Sequence, residues 1–276
     1  MKLKEFIAAT SLKAAGRSVG LEVEVVEGHL ALTPMDPEDP RYCADFILPT
    51  IRMVEACRAD DFDFFQPFIE AGRLTEEQMH HAAARYYLGK TRSGKPIYWM
   101  IDETCDPQDA HIGPEAWMSA LLKARESLLQ HWCPTHCLFG QHLLNSTTLH
   151  FKTTLHSKHS TLHSEPIAIV ESEASAAVLS ELFPEVLWMA YATEEHLEAD
   201  LFAPLAGHTV TLYPHTDPSC YTYLFFLDLA DAVRQRYDIH ITVASILEDL
   251  ATPDQKGRCI DLLDFLRESL TALRDS

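Results

Sequence analysis

The sequence is poor in positive charge and has no long uncharged apolar run. Its 276 residues include 22 Lys and Arg against 41 Asp and Glu, which gives a formal net charge of -19 at pH 7. Strong nonspecific binding to a phosphate backbone needs clustered Lys and Arg, so any contact with nucleic acid is expected to be local. No apolar stretch approaches the length that crosses a bilayer, and we expect no membrane contact.

The sequence also shows no export signal, and its number of cysteines is odd. Its first 20 residues, "MKLKEFIAATSLKAAGRSVG", carry charges among their apolar positions and predict an amphipathic helix instead of a signal peptide. The 7 cysteines are an odd number in a chain without such a signal. Reduced thiols, and therefore a cytoplasmic location, are expected.

Three common catalytic signatures are missing. The chain has no P-loop, no G-x-G-x-x-G fingerprint and no nucleophile elbow, so enzyme classes built on these motifs have little support. What the sequence does contain is a hydrophobic fraction of 47%. That fraction is ample for the core of one large domain or of two modest ones.

Periodicity and turn signals divide the chain into four predicted regions. These are a helical region at 1–63, an α+β region with a hairpin at 64–144, a His/Thr-rich insertion or linker at 145–165, and an α/β domain at 166–276. The prolines of "TPMDPEDPRY" exclude a long helix in the first region. In the second region, a helix is predicted from an N-cap at Thr75 to a stop at Gly89.

A β-hairpin is predicted at Lys90–Asp102, around a Ser-Gly turn. Its turn carries Lys90, Arg92 and Lys95, the densest basic group in an acidic chain, and these residues are candidates for a local contact with nucleic acid. Charges at a hairpin tip are otherwise simply solvated. The alternation along the second strand predicts that one face, with Trp99, is buried.

Histidines are concentrated in the predicted linker, where they lie among Ser and Thr residues. The histidines are His150, His156, His159 and His163, and the cysteines of "HWCPTHCLFG", Cys133 and Cys137, precede them. Their spacing matches no standard zinc site, so zinc is not expected. A solvated loop or an edge hairpin is the interpretation that the composition favours.

From Pro166 onward, short apolar segments alternate with helical patterns. The predicted strands are 166–170, 186–191, 208–213 and 239–243, and the predicted helices are 172–183, 194–203, 219–236 and 258–273. This alternation predicts an α/β fold with a mainly parallel sheet and right-handed crossovers.

Two strands of this predicted sheet end in polar residues. Glu171 follows the apolar run "IAIV", and His215 and Asp217 follow the third strand. Because the carboxyl ends of parallel strands meet at one edge of a sheet, these side chains are expected to converge. Glu171 is then a candidate catalytic group, and all three are candidate ligands of a divalent cation. Alternatively, acids that begin a helix only complement its dipole.

Five segments, taken in order, resemble a family of uncharacterised bacterial proteins. They are "YYLGKTRSGKPIYWMID", "CLFGQHLL", "IAIVESEASAAVL", "VLWMAYA" and "GHTVTLYPHTD". That family has a Toprim-like C-terminal half, the metal-binding fold of topoisomerases and bacterial primases, and occurs with mobile elements and with primase or helicase partners. The resemblance implies that Glu171 is a general acid or base, and that the pair at 215 and 217 holds magnesium.

The chain departs from the family pattern at three places. It has Ala174 where a lysine is usual, "ATEE" where a Gly-rich turn is usual, and His215 where an aspartate is usual. Since neutral imidazole is a poor ligand for a hard cation, Mg²⁺ or Mn²⁺ is expected to bind weakly.

Three functions follow as alternatives. The first is an accessory protein of nucleic-acid metabolism with a degenerate Toprim-like domain, whose partners are replication or mobilisation proteins. The second is an active, metal-dependent phosphoryl-transfer enzyme. The third is an acidic scaffold that binds a basic surface of a partner.

Overall fold

The computed structural model describes residues 21–26, 29–34, 51–91, 94–112, 115–116, 137–145, 165–191 and 197–274. The chain divides into two units. The hairpin unit comprises Met1–Ala59, Tyr87–Ile101 and Cys105–His136, and the parallel-sheet unit comprises Asp60–Tyr86, Asp102–Thr104 and Cys137–Ser276. The chain passes between them several times, so the predicted region 64–144 is shared between both units.

The first described elements of the hairpin unit are two strands. Strand β1 (Leu21–Val26) pairs with β2 (His29–Pro34) in an antiparallel ladder, and helix α1 (Ile51–Cys57) follows. The prediction of a helical region is therefore wrong for residues 21–26 and 29–34. The "LEVEVV" of β1 alternates acidic residues with β-branched and leucine side chains, which is a strand pattern. The predicted helix at 1–20 lies outside the described residues.

A second antiparallel sheet contains the predicted hairpin. Its strands are β3 (Gly89–Lys90), β4 (Pro96–Ile101), β5 (Pro107–Ile112) and β6 (Glu115–Ala116), in that order. The hairpin is confirmed, and two further strands extend it. Trp99 is only 3% exposed and packs in a small core with Val54 of α1, which confirms the predicted buried face.

The helix predicted from Thr75 begins as expected but ends early. Helix α3 (Glu76–Arg85) has a capping box between Thr75 and Gln78, and it follows a 3-10 turn (Asp63–Phe65) and helix α2 (Gln66–Glu70). Gly89 does not stop the helix, because it lies in β3. A Cβ at Gly89 would meet the Cys57 carbonyl oxygen at 2.9 Å, so glycine permits a close backbone approach there.

The parallel-sheet unit contains four parallel strands, as the alternation predicts. They are β7 (Ile167–Val170), β8 (Leu187–Ala190), β9 (Thr209–Leu212) and β10 (His240–Val243), in the order β10-β9-β7-β8. The strands at 166–170 and 208–213 are therefore confirmed as parallel neighbours. β7 lies between β8 and β9. After β7 the chain forms β8 on one side of it and then crosses to form β9 on the other side. The gap between the carboxyl ends of β7 and β9 is a topological switch point, where open α/β sheets place ligands.

Helices and 3-10 turns complete this unit. They are a 3-10 turn at Gln141–Asn145, α4 (Glu173–Leu182), a 3-10 helix at Ala199–Leu205, α5 (Tyr221–Arg236), α6 (Ile246–Leu250), α7 (Pro253–Gly257) and α8 (Leu262–Arg274). Two predictions need correction. Residues 199–205 form a 3-10 helix that contains Pro204, and the last helix begins at Leu262 because two short helices precede it.

One face of the parallel sheet packs against α5 and the 3-10 helix at Ala199–Leu205. Ile169 and Leu212 of the sheet form one buried apolar cluster with Phe226 of α5 and Phe202 of the 3-10 helix. At the β8 edge, Phe139 N donates to Ala190 O at 2.9 Å, and Ala190 N returns a bond to Phe139 O at 3.1 Å. This bridge covers part of the backbone of an edge strand.

Most of the predicted linker, with all four of its histidines, and Cys133 lie outside the described residues. Among the residues that are described, no helix is both long and apolar enough to cross a membrane.

Candidate functional site

The switch point brings Glu171 and His215 together. Tyr213 N donates to Ile169 O at 2.8 Å, which holds the start of the loop after β9 beside β7. His215 Nδ1 then lies 2.6 Å from Glu171 Oε2, and His215 Nε2 lies 3.2 Å from Thr222 Oγ1. The two loops meet in the way that the sheet topology predicts, with a carboxylate close to one ring nitrogen and a hydroxyl close to the other.

Both side chains of this pair are partly accessible to solvent. The exposed fraction is 38% for the Glu171 side chain and 16% for the His215 side chain. An imidazole that lies between a carboxylate and a hydroxyl has a defined ring orientation. The pair therefore offers a carboxylate and an imidazole that a polar ligand can reach.

Asp217, the third predicted site residue, caps helix α5. Its Oδ1 accepts from Ser219 N at 2.7 Å, and its Oδ2 accepts from Thr222 N at 2.8 Å. Burial raises the pKa of Asp217, but the hydrogen bonds from Ser219 and Thr222 outweigh burial and hold the pKa well below its usual range. Both oxygens thus accept from backbone amides, one in the first turn of α5 and one just before the helix.

Replacement of Asp217 by Ala is expected to cost about 1 to 2 kcal/mol of unfolding free energy, since a capping acceptor is lost. Because the folded pKa is depressed, the stabilisation is complete above the unfolded pKa, near 4, and is lost as the pH falls toward the folded pKa. Urea unfolding should show that the unfolding free energy of Asp217→Asn falls less than that of the unmodified protein as the pH is lowered from 5 toward the acid limit. The control is Asp228→Asn, at an exposed position of α5; an equal change in both variants would contradict the cap.

A second acidic group lies beside the N-terminus of α5. Glu248 accepts from Thr216 Oγ1 at 2.7 Å, from Cys220 Sγ at 3.0 Å and from Lys256 Nζ at 2.6 Å. Burial raises the pKa of Glu248, but the bonds from Lys256, Cys220 and Thr216 give a net lowering. Sequence reasoning missed this group because it depends on α6 and α7. The capping box of Thr252 and Gln255 is the sequence signal that could have revealed α7.

Asp261 is the fourth carboxyl group in this part of the fold. It accepts a hydrogen bond from Ser175 Oγ, and its Oδ1 caps α8 through Asp264 N at 2.8 Å. Burial raises the pKa of Asp261, and the nearby negative charge of Glu171 raises it further. This proximity connects the loop before α8 to the switch point.

The residues present do not fit the magnesium site that the family resemblance implies. Mg²⁺ prefers several oxygen ligands in octahedral geometry, whereas Asp217 gives both oxygens to backbone amides. Within the described residues, no three His, Cys, Asp or Glu side chains are grouped to hold a metal ion. Of the predicted ligands Glu171, His215 and Asp217, the structure places Glu171 beside His215, and Asp217 lies at the start of α5; their binding of a cation stays a prediction.

The predicted basic group belongs to the other unit. Lys90 lies in β3 and is half-exposed, and Lys95 is exposed just before β4. Arg92 lies outside the described residues.

The parallel-sheet unit thus belongs to the class of α/β domains with a polar site at the carboxyl edge of a parallel sheet. A family model described as a domain of unknown function, DUF6371, matches residues 63–216, which is more than half of the chain, and the chain belongs to that family. No curated protein and no solved structure matches it significantly.

Proposed function

We propose that this chain is a cytoplasmic accessory protein of nucleic-acid metabolism, and that its parallel-sheet unit is a Toprim-like domain with little or no catalysis. The observation that carries the proposal is the state of the acids at the carboxyl edge. Glu171 is paired with His215, Asp217 caps α5, and Glu248 is paired with Lys256. A phosphoryl-transfer site needs carboxylates that are open to a cation.

The position of the site and the order of the five segments support the Toprim-like part of the proposal. Glu171 follows the central strand β7, and the His-x-Asp pair follows its neighbour β9, at a switch point that suits a ligand. The resemblance supplies the nucleic-acid context and the mobile-element context. His215, in place of an aspartate, removes the hard ligand that magnesium chemistry needs.

The distribution of charge supports a role for partner proteins. The parallel-sheet unit has 28 Asp and Glu against 10 Lys and Arg, a net charge of -18, and the hairpin unit has 13 against 12, a net charge of -1. A strongly acidic unit repels phosphate and attracts basic protein surfaces. Replication or mobilisation proteins that present such a surface are the partners we propose for it.

The test restores the missing ligand. His215→Asp places a second carboxylate beside Glu171, so Mg²⁺ or Mn²⁺ should now stabilise the fold. A cation at about 100 times its Kd stabilises by about 2.7 kcal/mol and raises the melting temperature accordingly. The unmodified protein should respond weakly to the same metal titration.

The matched control is His240→Asp, which makes the same substitution at an exposed residue of β10. A metal response in His240→Asp equal to that in His215→Asp would show nonspecific binding. The proposal is overturned if the unmodified protein shows robust Mg²⁺- or Mn²⁺-dependent cleavage or synthesis of nucleic acid that is lost in both Glu171→Gln and Asp217→Asn.

A further inference from the structure

We infer that the start of α5 and helix α6 form a docking surface for a basic, amphipathic segment of a partner protein. We call this the α5/α6 surface and define it by four apolar side chains, Tyr221, Leu224, Ile246 and Leu250. The inference rests on the proposed function, because it locates the contact with a basic partner and adds the apolar half of that contact.

The four apolar side chains are open to solvent. The exposed fractions are 65% for Tyr221, 56% for Leu224, 39% for Ile246 and 59% for Leu250. Six large apolar side chains are exposed in the described part of the chain, and four of the six lie in these two helices. Single exposed apolar side chains are ordinary, but a group of them with a polar rim is typical of a surface that contacts another protein.

The two helices lie beside each other at the carboxyl edge of the parallel sheet. Cys220, just before α5, donates from Sγ to Glu248 Oε2 at 3.0 Å, and Thr216 Oγ1 donates to Oε1 of the same residue at 2.7 Å. Glu248 lies between the two apolar residues of α6. Within each helix the two apolar residues are three or four positions apart, so they are neighbours on the helix surface.

An acidic side chain borders the apolar pair on each helix. Asp228 follows Leu224 by four positions in α5, and Asp249 follows Ile246 by three positions in α6, so each acid is a surface neighbour of an apolar residue. Both acids are exposed. Asp249 Oδ2 accepts from Ser245 Oγ at 2.7 Å, a contact that leaves the carboxylate at the surface.

Charge determines which occupant suits this surface. The stretches 209–233 and 240–255 contain six Asp or Glu and no Lys or Arg, in a unit whose net charge is -18. The basic residues that follow them, Arg234 and Lys256, are each ion-paired with an acid of these stretches.

A protein segment that carries Lys or Arg around apolar residues complements both the apolar side chains and their acidic rim. A second copy of the chain would bring like charges together across a symmetric interface. The phosphates of nucleic acids and of anionic lipids would be repelled in the same way. A basic, amphipathic segment of another protein is therefore the occupant that the surface favours.

The experiment measures binding of the full chain to a fluorescein-labelled synthetic peptide of leucine and lysine, with its leucines at helical spacing, by anisotropy. The reference probe is a labelled oligolysine of equal charge. The protein should bind the leucine-lysine peptide about tenfold or more tightly than the oligolysine, because only the first peptide buries apolar surface.

The apolar contribution is tested by the double variant Leu224→Ser/Leu250→Ser. It should bind the leucine-lysine peptide about tenfold or more weakly, with oligolysine binding unchanged, since apolar anchors at the centre of an interface carry much of its affinity. Ile51→Ser, which changes an exposed apolar residue of the hairpin unit, is the control and should bind both peptides as the unmodified protein does.

The acidic rim is tested separately. Asp228→Asn/Asp249→Asn should weaken the binding of both peptides about two- to tenfold and make it less sensitive to salt. The control, Asp60→Asn/Glu70→Gln, removes two exposed acids elsewhere in the parallel-sheet unit and should have a smaller effect. Circular dichroism of each variant establishes that it is folded.

The outcomes separate this inference from the proposed function. If the protein binds the leucine-lysine peptide but Leu224→Ser/Leu250→Ser binds it equally well, the inference fails and the proposed function stands. If oligolysine binds as tightly, the acidic unit attracts cations in general, and the inference is overturned. If neither peptide binds at low salt, the inference and the proposed partner role both fail, whereas the metal titration of His215→Asp still tests the degenerate site.

Sedimentation of the full chain tests the other occupant. The unmodified protein should remain in the same state of association as Leu224→Ser/Leu250→Ser. A dimer of the unmodified protein that this variant loses would show that a second copy occupies the surface, and would overturn the inference.

Discussion

Substitution of Gly140 by Ala is expected to destabilise the parallel-sheet unit by about 2 to 4 kcal/mol. Gly140 has φ of 85°, a conformation that costs an L-residue about 1 to 2 kcal/mol. A Cβ there would also lie 3.0 Å from the Trp188 carbonyl oxygen and 3.0 Å from Tyr86 Cε1. Both neighbours are fixed, because the Tyr86 hydroxyl donates to the same Trp188 oxygen at 2.7 Å.

Gly207→Ala is the matched control for this effect. Gly207 has φ of 83°, and its Cβ would have no atom within 4 Å. It should therefore lose only the conformational part, about 1 to 2 kcal/mol. The measurement is the urea midpoint of each variant by circular dichroism. Equal losses in both variants would mean that the contact of Gly140 with Trp188 and Tyr86 adds nothing.

Acidification from pH 6.5 to pH 4 is expected to cost about 3 kcal/mol through His142 alone. The pKa of His142 is lowered from 6.5 to about 4. Burial is the main cause, the bond between Nε2 and Arg85 O opposes the shift, and the nearby charge of Arg85 adds to it. The unfolded chain binds a proton from pH 6.5 downward, whereas the folded chain does not until about pH 4. Stability is therefore complete above pH 6.5 and falls until about pH 4.

This pH dependence is tested by urea unfolding across that range. His142→Gln retains an N–H donor toward Arg85 O but cannot titrate, so its stability should fall less between pH 6.5 and 4. His80→Gln, at an exposed position of α3, controls for the loss of one imidazole. NMR titration gives an independent readout, and an imidazole of His142 that is charged at pH 5.5 in the folded protein would refute the prediction.

The repeating patterns of the sequence predicted the strands of the parallel-sheet unit and their parallel direction. A strand run such as "IAIV" and the Ser172 cap that begins α4 depend on residues within a few positions of each other. Period and capping are local properties, so they are readable without tertiary contacts. The alternation around Trp99 is local in the same sense, and its burial was predictable.

The two-unit organisation was not readable in this way. The chain leaves the parallel-sheet unit after Tyr86 and returns only briefly at Asp102–Thr104 before Cys137. The predicted region boundaries at 63 and 144 assume that residues close together in sequence share one core. Which core a strand joins depends on apolar contacts far along the chain, and local patterns do not record them.

The convergence of Glu171 and His215 followed from the sequence, since parallel strands place their carboxyl ends at one edge. The sequence could not decide what each acid does there. Asp217 binds the N-terminus of its own helix, Glu248 meets Thr216 from 32 positions away, and Ser175 meets Asp261 across 86. A carboxylate serves as a cap, an ion-pair partner or an open ligand according to the donors that surround it, and only the tertiary structure determines those donors.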